Sequence, residues 1–201
     1  MADPESFHSP QVTGIVLAAG LSRRFDGRLP KQLHQINGQT LVYRTATVAL
    51  ASKLRQIVIV VGHRGAEVGA VLAGLAIEVV VNPDFADGQS TSVKIGLSRV
   101  DANAEAAMFI PCDLPNLDAE TINRLVESYA ESGGWIVVPV FEGCRRAPVL
   151  IDRSLFGELR GITGDQGARQ LFPRHQDDLV EVEFESKLPF ADLDRIPTPP
   201  F

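Results

Sequence analysis

The 201-residue chain has little cysteine: Cys112 and Cys144 are the two thiols. Two cysteines cannot build a disulfide framework, and neither sits in a Cys-x-x-Cys or other metal-ligand spacing. A reducing, cytoplasmic setting fits that usage best. No stretch approaches the roughly 18 consecutive apolar residues needed to cross a bilayer, so no membrane partner is expected. Met1 to Gln11 lacks both a basic segment and an apolar one, and reads as a flexible N-terminal tail rather than a secretory signal. A basic excess is missing as well. The net charge of −6 argues against general nucleic-acid binding. Neither the phosphate loop G-x-x-x-x-G-K-S/T nor the dinucleotide fingerprint G-x-G-x-x-G is present. There is no credible Ser-His-Asp or Cys-His constellation, and His8, His34 and His175 are scattered and form no ligand set.

What the chain does have is apolar content. At 45% hydrophobic it can bury enough surface to offset the entropy of ordering. Its length suits one domain, here residues 12–201. Apolar runs of strand length alternate with segments of helical period. Strands are expected at Val12–Ala18, Gln56–Val61, Ile77–Val81, Ala107–Pro111 and Trp135–Phe141. Between them, helices are expected at Thr40–Ser52, Ala66–Ala73, Ser90–Val100 and from an Asp118 cap to Glu131. Unpatterned apolar strands separated by helices indicate parallel strands buried on both faces, hence an open, doubly wound α/β sheet. Beyond residue 142 the expected elements are a strand at Ala147–Ile151, a helix at Arg153–Leu159, a helix capped by Asp165 and reaching Phe172, and an edge strand at Leu179–Phe184.

In such sheets ligands bind at the carboxyl ends of the strands. The first such end is Leu17-Ala18-Ala19-Gly20-Leu21-Ser22, continuing to Lys31. Small residues there let a ligand approach the backbone, and backbone N–H groups can hold phosphate oxygens. Arg23, Arg24, Arg28 and Lys31 give this segment a local positive excess over Asp26. These residues suit an anionic ligand such as phosphate, and composition alone fits equally a surface loop whose cations are solvated.

The segment LAAGLSRRF followed by PKQL resembles the signature L-A-A-G-x-S-x-R-M/F-G-x-x-K of the MobA-like nucleotidyltransferases. Asn82 to Leu97, NPDFADGQSTSVKIGL, resembles the G-Q-S-x-S-V/L-x-x-G-L/I segment of the molybdenum cofactor cytidylyltransferase branch. Gly164-Asp165-Gln166-Gly167-Ala168-Arg169 matches that branch's G-D-x-G-A-R. The resemblance runs from about Val12 to Pro197. It implies a single Rossmann-like α/β/α sandwich with a mostly parallel central sheet, of the nucleotide-diphospho-sugar transferase type. It also implies transfer of CMP from CTP to the phosphate of molybdopterin or molybdenum cofactor, with Mg²⁺ as cofactor and a molybdenum hydroxylase as a client.

Residue by residue, the resemblance implies a nucleotide site of Leu17, Ala18, Ala19, Gly20, Ser22, Arg24, Lys31, Gly88, Ser92 and Asp113. Ala19 is the position that goes with cytosine, and Arg24 and Lys31 hold the triphosphate. Asp113 binds the metal, with Asp192 of Asp192-Leu193-Asp194 as the second contact. Gln89, Asp165 and Arg169 line the acceptor pocket. The chain departs from the pattern at the extra Asp26, at Arg146-Ala147-Pro148-Val149 where the family has G-H/N-P-V, and at Asp194-Arg195-Ile196-Pro197, which lacks the family's threonine. PKQL is also similar to the methylerythritol-phosphate cytidylyltransferases. Two rival functions therefore stand beside the first: a cytidylyltransferase for a sugar or polyol phosphate, and an accessory protein of molybdenum hydroxylases or a pigment reductase, as some relatives are described.

The implied chemistry suits the residues. A terminal phosphate is already anionic near neutral pH, so its attack on the α-phosphorus of CTP needs no side-chain base. The obstacle is repulsion between two anions, and catalysis of such transfers is mostly positioning and charge neutralisation. Lys31, Arg24 and Asp113 are the expected catalytic residues. Cys112 is expected to pack as a small hydrophobe at a strand end.

Overall fold

In the computed structural model, which describes residues 9–22 and 29–193, the apolar runs become strands of one sheet. β1 (Val12–Ala18), β4 (Gln56–Val61), β5 (Glu78–Val81), β6 (Ala106–Pro111), β7 (Ile136–Phe141), β8 (Cys144–Arg145), β9 (Val149–Asp152) and β10 (Leu179–Glu183) make up its eight strands. The spatial order is β10-β7-β9-β6-β1-β4-β5, with β8 on β7. β1 lies at the centre, parallel to β4 on one side and to β6 on the other. Chain order therefore reverses between β1 and β6, and this is the switch point at which open α/β sheets bind ligands.

Alternation along the strands divides the core. Val12, Val16 and Ala18 pack with Leu41, Val42, Ala46, Val68, Ile122 and Leu125. These come from α1 (Leu41–Leu50), α2 (Gly65–Ala70) and α4 (Ala119–Ser132) on one face. Ile15 and Ala19 pack with Val93, Leu97, Phe156, Leu159 and Leu171 on the other. That face is covered by α3 (Gln89–Leu97), α5 (Phe156–Leu159) and a 3-10 helix over Gly167–Arg174. The result is the expected α/β/α sandwich. The expected Asp118 cap forms, accepting from the Thr121 N–H, and Thr40, read as the first helical residue, caps α1 by accepting from the Tyr43 N–H. Each such cap is worth about 1 kcal/mol. No helix among the described residues is long and apolar enough to cross a membrane.

Four features depart from the sequence reading or add to it. β9 runs antiparallel between β6 and β7; a strand buried on both faces carries no sequence mark of its direction. A small hairpin, β2 (Gln35–Ile36) with β3 (Gln39–Thr40), precedes α1. Asn37 and Gly38, at φ 52° and 80°, form its two-residue turn, the Asn-Gly signal that favours such turns. The helix expected at 153–159 splits into a 3-10 turn and α5. Asp165 does not cap the helix that follows it; Gln166 occupies that position with no side-chain cap. At the N-terminus, Pro10 is buried and the Gln11 N–H donates to Glu105 Oε1 at 2.9 Å, so this end of the expected tail is tied down.

Candidate active site

The carboxyl ends of β1 and β6 lie side by side, with Leu17 paired to Pro111. Past β1 the chain turns through Gly20 and Ser22, and Ser22 sits at φ 53°. The Ser22 hydroxyl accepts from the Lys31 N–H at 3.1 Å and donates to Gln32 Oε1 at 3.2 Å. Gln32, buried, donates from Nε2 to the Gly20 carbonyl at 2.9 Å. These bonds tie Gly20 and Ser22 to Lys31 and Gln32 and hold Lys31 at the start of a 3-10 turn, Lys31–Leu33.

Past β6 comes Asp113. Lys31 Nζ lies 3.0 Å from Asp113 Oδ2. The two residues are 82 apart in the chain, and the switch point brings them together. Their side chains are 14% and 36% exposed, so both remain accessible from a cleft. The Asp113 carbonyl also accepts from the Leu193 N–H at 3.0 Å, which brings Asp192 beside it.

That cleft has a volume of about 820 Å³. Of the residues expected from sequence, Leu17, Ala19, Gly20, Ser22, Lys31, Gly88, Gln89, Ser92, Asp113, Asp165, Arg169 and Asp192 all line it. Ala18 does not. It is fully buried on the opposite face, because strand alternation turns its side chain toward α1. Arg24 lies outside the described residues, as do Asp26 and Asp194. The sequence reading left out Gln32, Phe85 and Pro111, which also line the cleft. Gln32 was legible in the quoted PKQL segment as the residue beside Lys31.

Asp165 has a different local role from the one expected. Its Oδ1 accepts from the Gln89 N–H at 3.3 Å, and the Gly164 carbonyl accepts from the Ser90 N–H at 2.9 Å. The Gly164–Asp165 segment thus covers the start of α3. Gly88 permits this approach. It stands at φ 109°, and a Cβ there would lie 2.7 Å from the Gly164 carbonyl carbon.

Cys112 is buried. Burial, followed by the neighbouring Asp113 charge, pushes its thiol well above the usual range. It packs as a small hydrophobe just past the end of β6. Cys144 is exposed, and no disulfide links the two.

Among the described residues, no cluster of three or more His, Cys, Asp or Glu side chains makes a preassembled metal site. Asp113 and Asp192 supply carboxylate oxygens on the wall of the cleft. One or two carboxylates, completed by water and substrate phosphates, are the usual protein share of a Mg²⁺ site, so the donor set fits such an ion.

Comparison with known proteins supplies the family. The model of the MobA-like NTP transferase domain matches residues 14–179. The chain belongs to this family. It is 34% identical over 182 residues to nicotine blue oxidoreductase of Paenarthrobacter nicotinovorans, covering 86% of each chain. The bifunctional protein GlmU of Carboxydothermus hydrogenoformans is 29% identical over 62% of this chain. That match spans 27% of the GlmU protein, so the chain covers about a quarter of this relative. Among solved structures, Rv0371c of Mycobacterium tuberculosis H37Rv superposes with a TM-score of 0.81 at 28% identity, over 94% of this chain and 95% of that one. A second structure of Rv0371c is a complex with manganese. The MobA-like domain is an NTP transferase domain.

Proposed function

We propose that this MobA-like protein transfers CMP from CTP to the phosphate of a molybdopterin-type acceptor and releases pyrophosphate. The observation that carries the reading is the Lys31–Asp113 contact of 3.0 Å on the wall of a cleft shared with Ser92, Asp165, Arg169 and Asp192. An oxygen of the acceptor phosphate forms a bond to the α-phosphorus, and the bond from that phosphorus to the bridging β-oxygen breaks. The electron pair leaves with pyrophosphate. Lys31 stands where it can neutralise charge on the phosphates, and Arg24 is proposed to assist it. Small residues at Ala19 and Gly20 admit the nucleoside to the backbone. Arg169, exposed on the cleft wall, is a cation for the acceptor side. Asp113 and Asp192 would hold a divalent ion, which when bound supplies further neutralisation of the phosphate oxygens. A client molybdenum hydroxylase would receive the product.

The nicotine blue oxidoreductase relative favours a second reading, reduction of a pigment or an accessory role in cofactor handling. One assay separates the readings. Pyrophosphate release is measured with CTP, GTP or ATP and Mg²⁺, offering molybdopterin cofactor, a sugar phosphate and a polyol phosphate in turn. Release with CTP and the pterin is expected. Preference for GTP overturns the cytidylyl assignment, and release with a sugar or polyol phosphate alone replaces the acceptor. No release with any pair, together with oxidation of a nicotinamide cofactor by the pigment, installs the second reading.

A further inference from the structure

Asn82 follows β5 and is 1% exposed, and both polar atoms of its side-chain amide are hydrogen-bonded. Its Oδ1 accepts from the Asp84 N–H at 3.0 Å, which fixes which end of the amide is nitrogen. The two hydrogens of Nδ2 then go to two adjacent hydroxyls, Thr91 Oγ1 at 2.8 Å and Ser92 Oγ at 3.0 Å. Each hydroxyl is thereby made an acceptor and must place its own proton elsewhere. Thr91 does so inside the protein, where its Oγ1 lies 2.8 Å from the Gly88 carbonyl and 3.0 Å from that of Asp84. Among the described residues, no protein acceptor takes the Ser92 proton, and Ser92 lines the cleft at 5% exposure.

We propose that Asn82 is a positioning residue that sets the Ser92 hydroxyl as a hydrogen-bond donor toward the nucleotide. The inference rests on the cleft binding a nucleoside triphosphate. At that point the cleft reads an acceptor atom, such as a base carbonyl oxygen. A ligand presenting an N–H there would reach only the remaining lone pair and would leave the Ser92 proton without an acceptor, so an acceptor atom is the better match. The same amide ties the end of β5 to the first turn of α3, so the base-reading group is held by buried structure and not by a loop alone.

The test is a double-mutant cycle on nucleotide affinity, with CTP and Mg²⁺ titrated into wild type, Ser92→Ala, Asn82→Asp and the double variant. Asn82→Asp keeps the acceptor for the Asp84 N–H but replaces the donor with a carboxylate, which draws the Ser92 proton inward. Each single variant is expected to weaken CTP binding by roughly tenfold, the scale of one hydrogen bond. The double variant is expected to bind no worse than the weaker single, because both remove one contact. A native-like melting curve with affinity within twofold of wild type for either single variant overturns the proposal. So do losses that multiply. If Asn82→Asp does not fold, Asn82→Ala takes its place, with a smaller loss than Ser92→Ala and none in the Ser92→Ala background. Wild-type preference for another nucleoside triphosphate overturns the cytidylyl reading alone, and the cycle is then decided on that nucleotide. A wild type that binds none overturns both.

Discussion

Replacing Lys31 by methionine removes one charge and nearly preserves side-chain volume, which separates catalysis from stability. The Lys31–Asp113 contact is 3.0 Å, but Asp113 is 36% exposed and stays solvated once its partner is gone. Accessible ion pairs of this kind contribute at most about 1 kcal/mol to folding. For a chain of this size that is a fall in melting temperature of about 2–4 °C. The effect on rate is expected to be far larger. A preorganised group opposite developing phosphate charge is worth about 10²–10³ in turnover. Lys31→Met and Asp113→Asn should therefore each lower pyrophosphate release at least a hundredfold while melting within a few degrees of wild type. The double variant should be about as slow as the worse single, since residues acting as one unit are not additive. The assay pairs steady-state pyrophosphate release at saturating CTP and Mg²⁺ with a thermal melt of the same preparation. Either single variant turning over at more than a tenth of the wild-type rate would refute the electrostatic argument. A large drop in melting temperature that accounts for the lost rate would refute it equally.

Two other consequences follow from the geometry. Gly88→Ala is strained by its φ of 109° and meets the Gly164 backbone at 2.7 Å, so it should part the 164–165 segment from α3; we expect weaker acceptor and nucleotide binding and a measurable drop in melting temperature, and an unchanged titration would show that this junction does not shape the cleft. At pH 8, Cys144 should react rapidly with a disulfide reagent, whereas Cys112, buried and with its thiol pushed up, should react only after denaturation. Because a raised thiol pKa keeps Cys112 protonated where an ordinary cysteine begins to ionise, increasing the pH toward 9 should leave its reaction slow. Two fast equivalents in the native protein would contradict the packing of Cys112 behind Asp113.

Periodicity determined the order of the long strands and helices up to Phe141, the Gln35–Thr40 hairpin apart, because a strand buried on both faces must be apolar throughout and a helix must show one apolar stripe. Part of the cleft was legible in the same way: Leu17 to Lys31 follows a strand end with small residues and a local positive excess. Gly88, Ser92, Asp113, Asp165 and Arg169 were named through the family resemblance, and the fold brings them to the same cleft. Tertiary structure alone decided the direction of β9, since hydrogen bonding to β6 and β7 is a property of partners and leaves no trace in Val149-Leu150-Ile151-Asp152. It also decided which helix Asp165 serves. A local reading assigns a carboxylate to the next N-terminus in the chain, whereas the fold places it at α3, 76 residues earlier. The same holds for Asn82 and Ser92, whose donors and acceptors were visible as residue types while their pairing was not. Hydrogen-bond polarity depends on who the neighbours are, and only the packed sheet and helix bring those neighbours together.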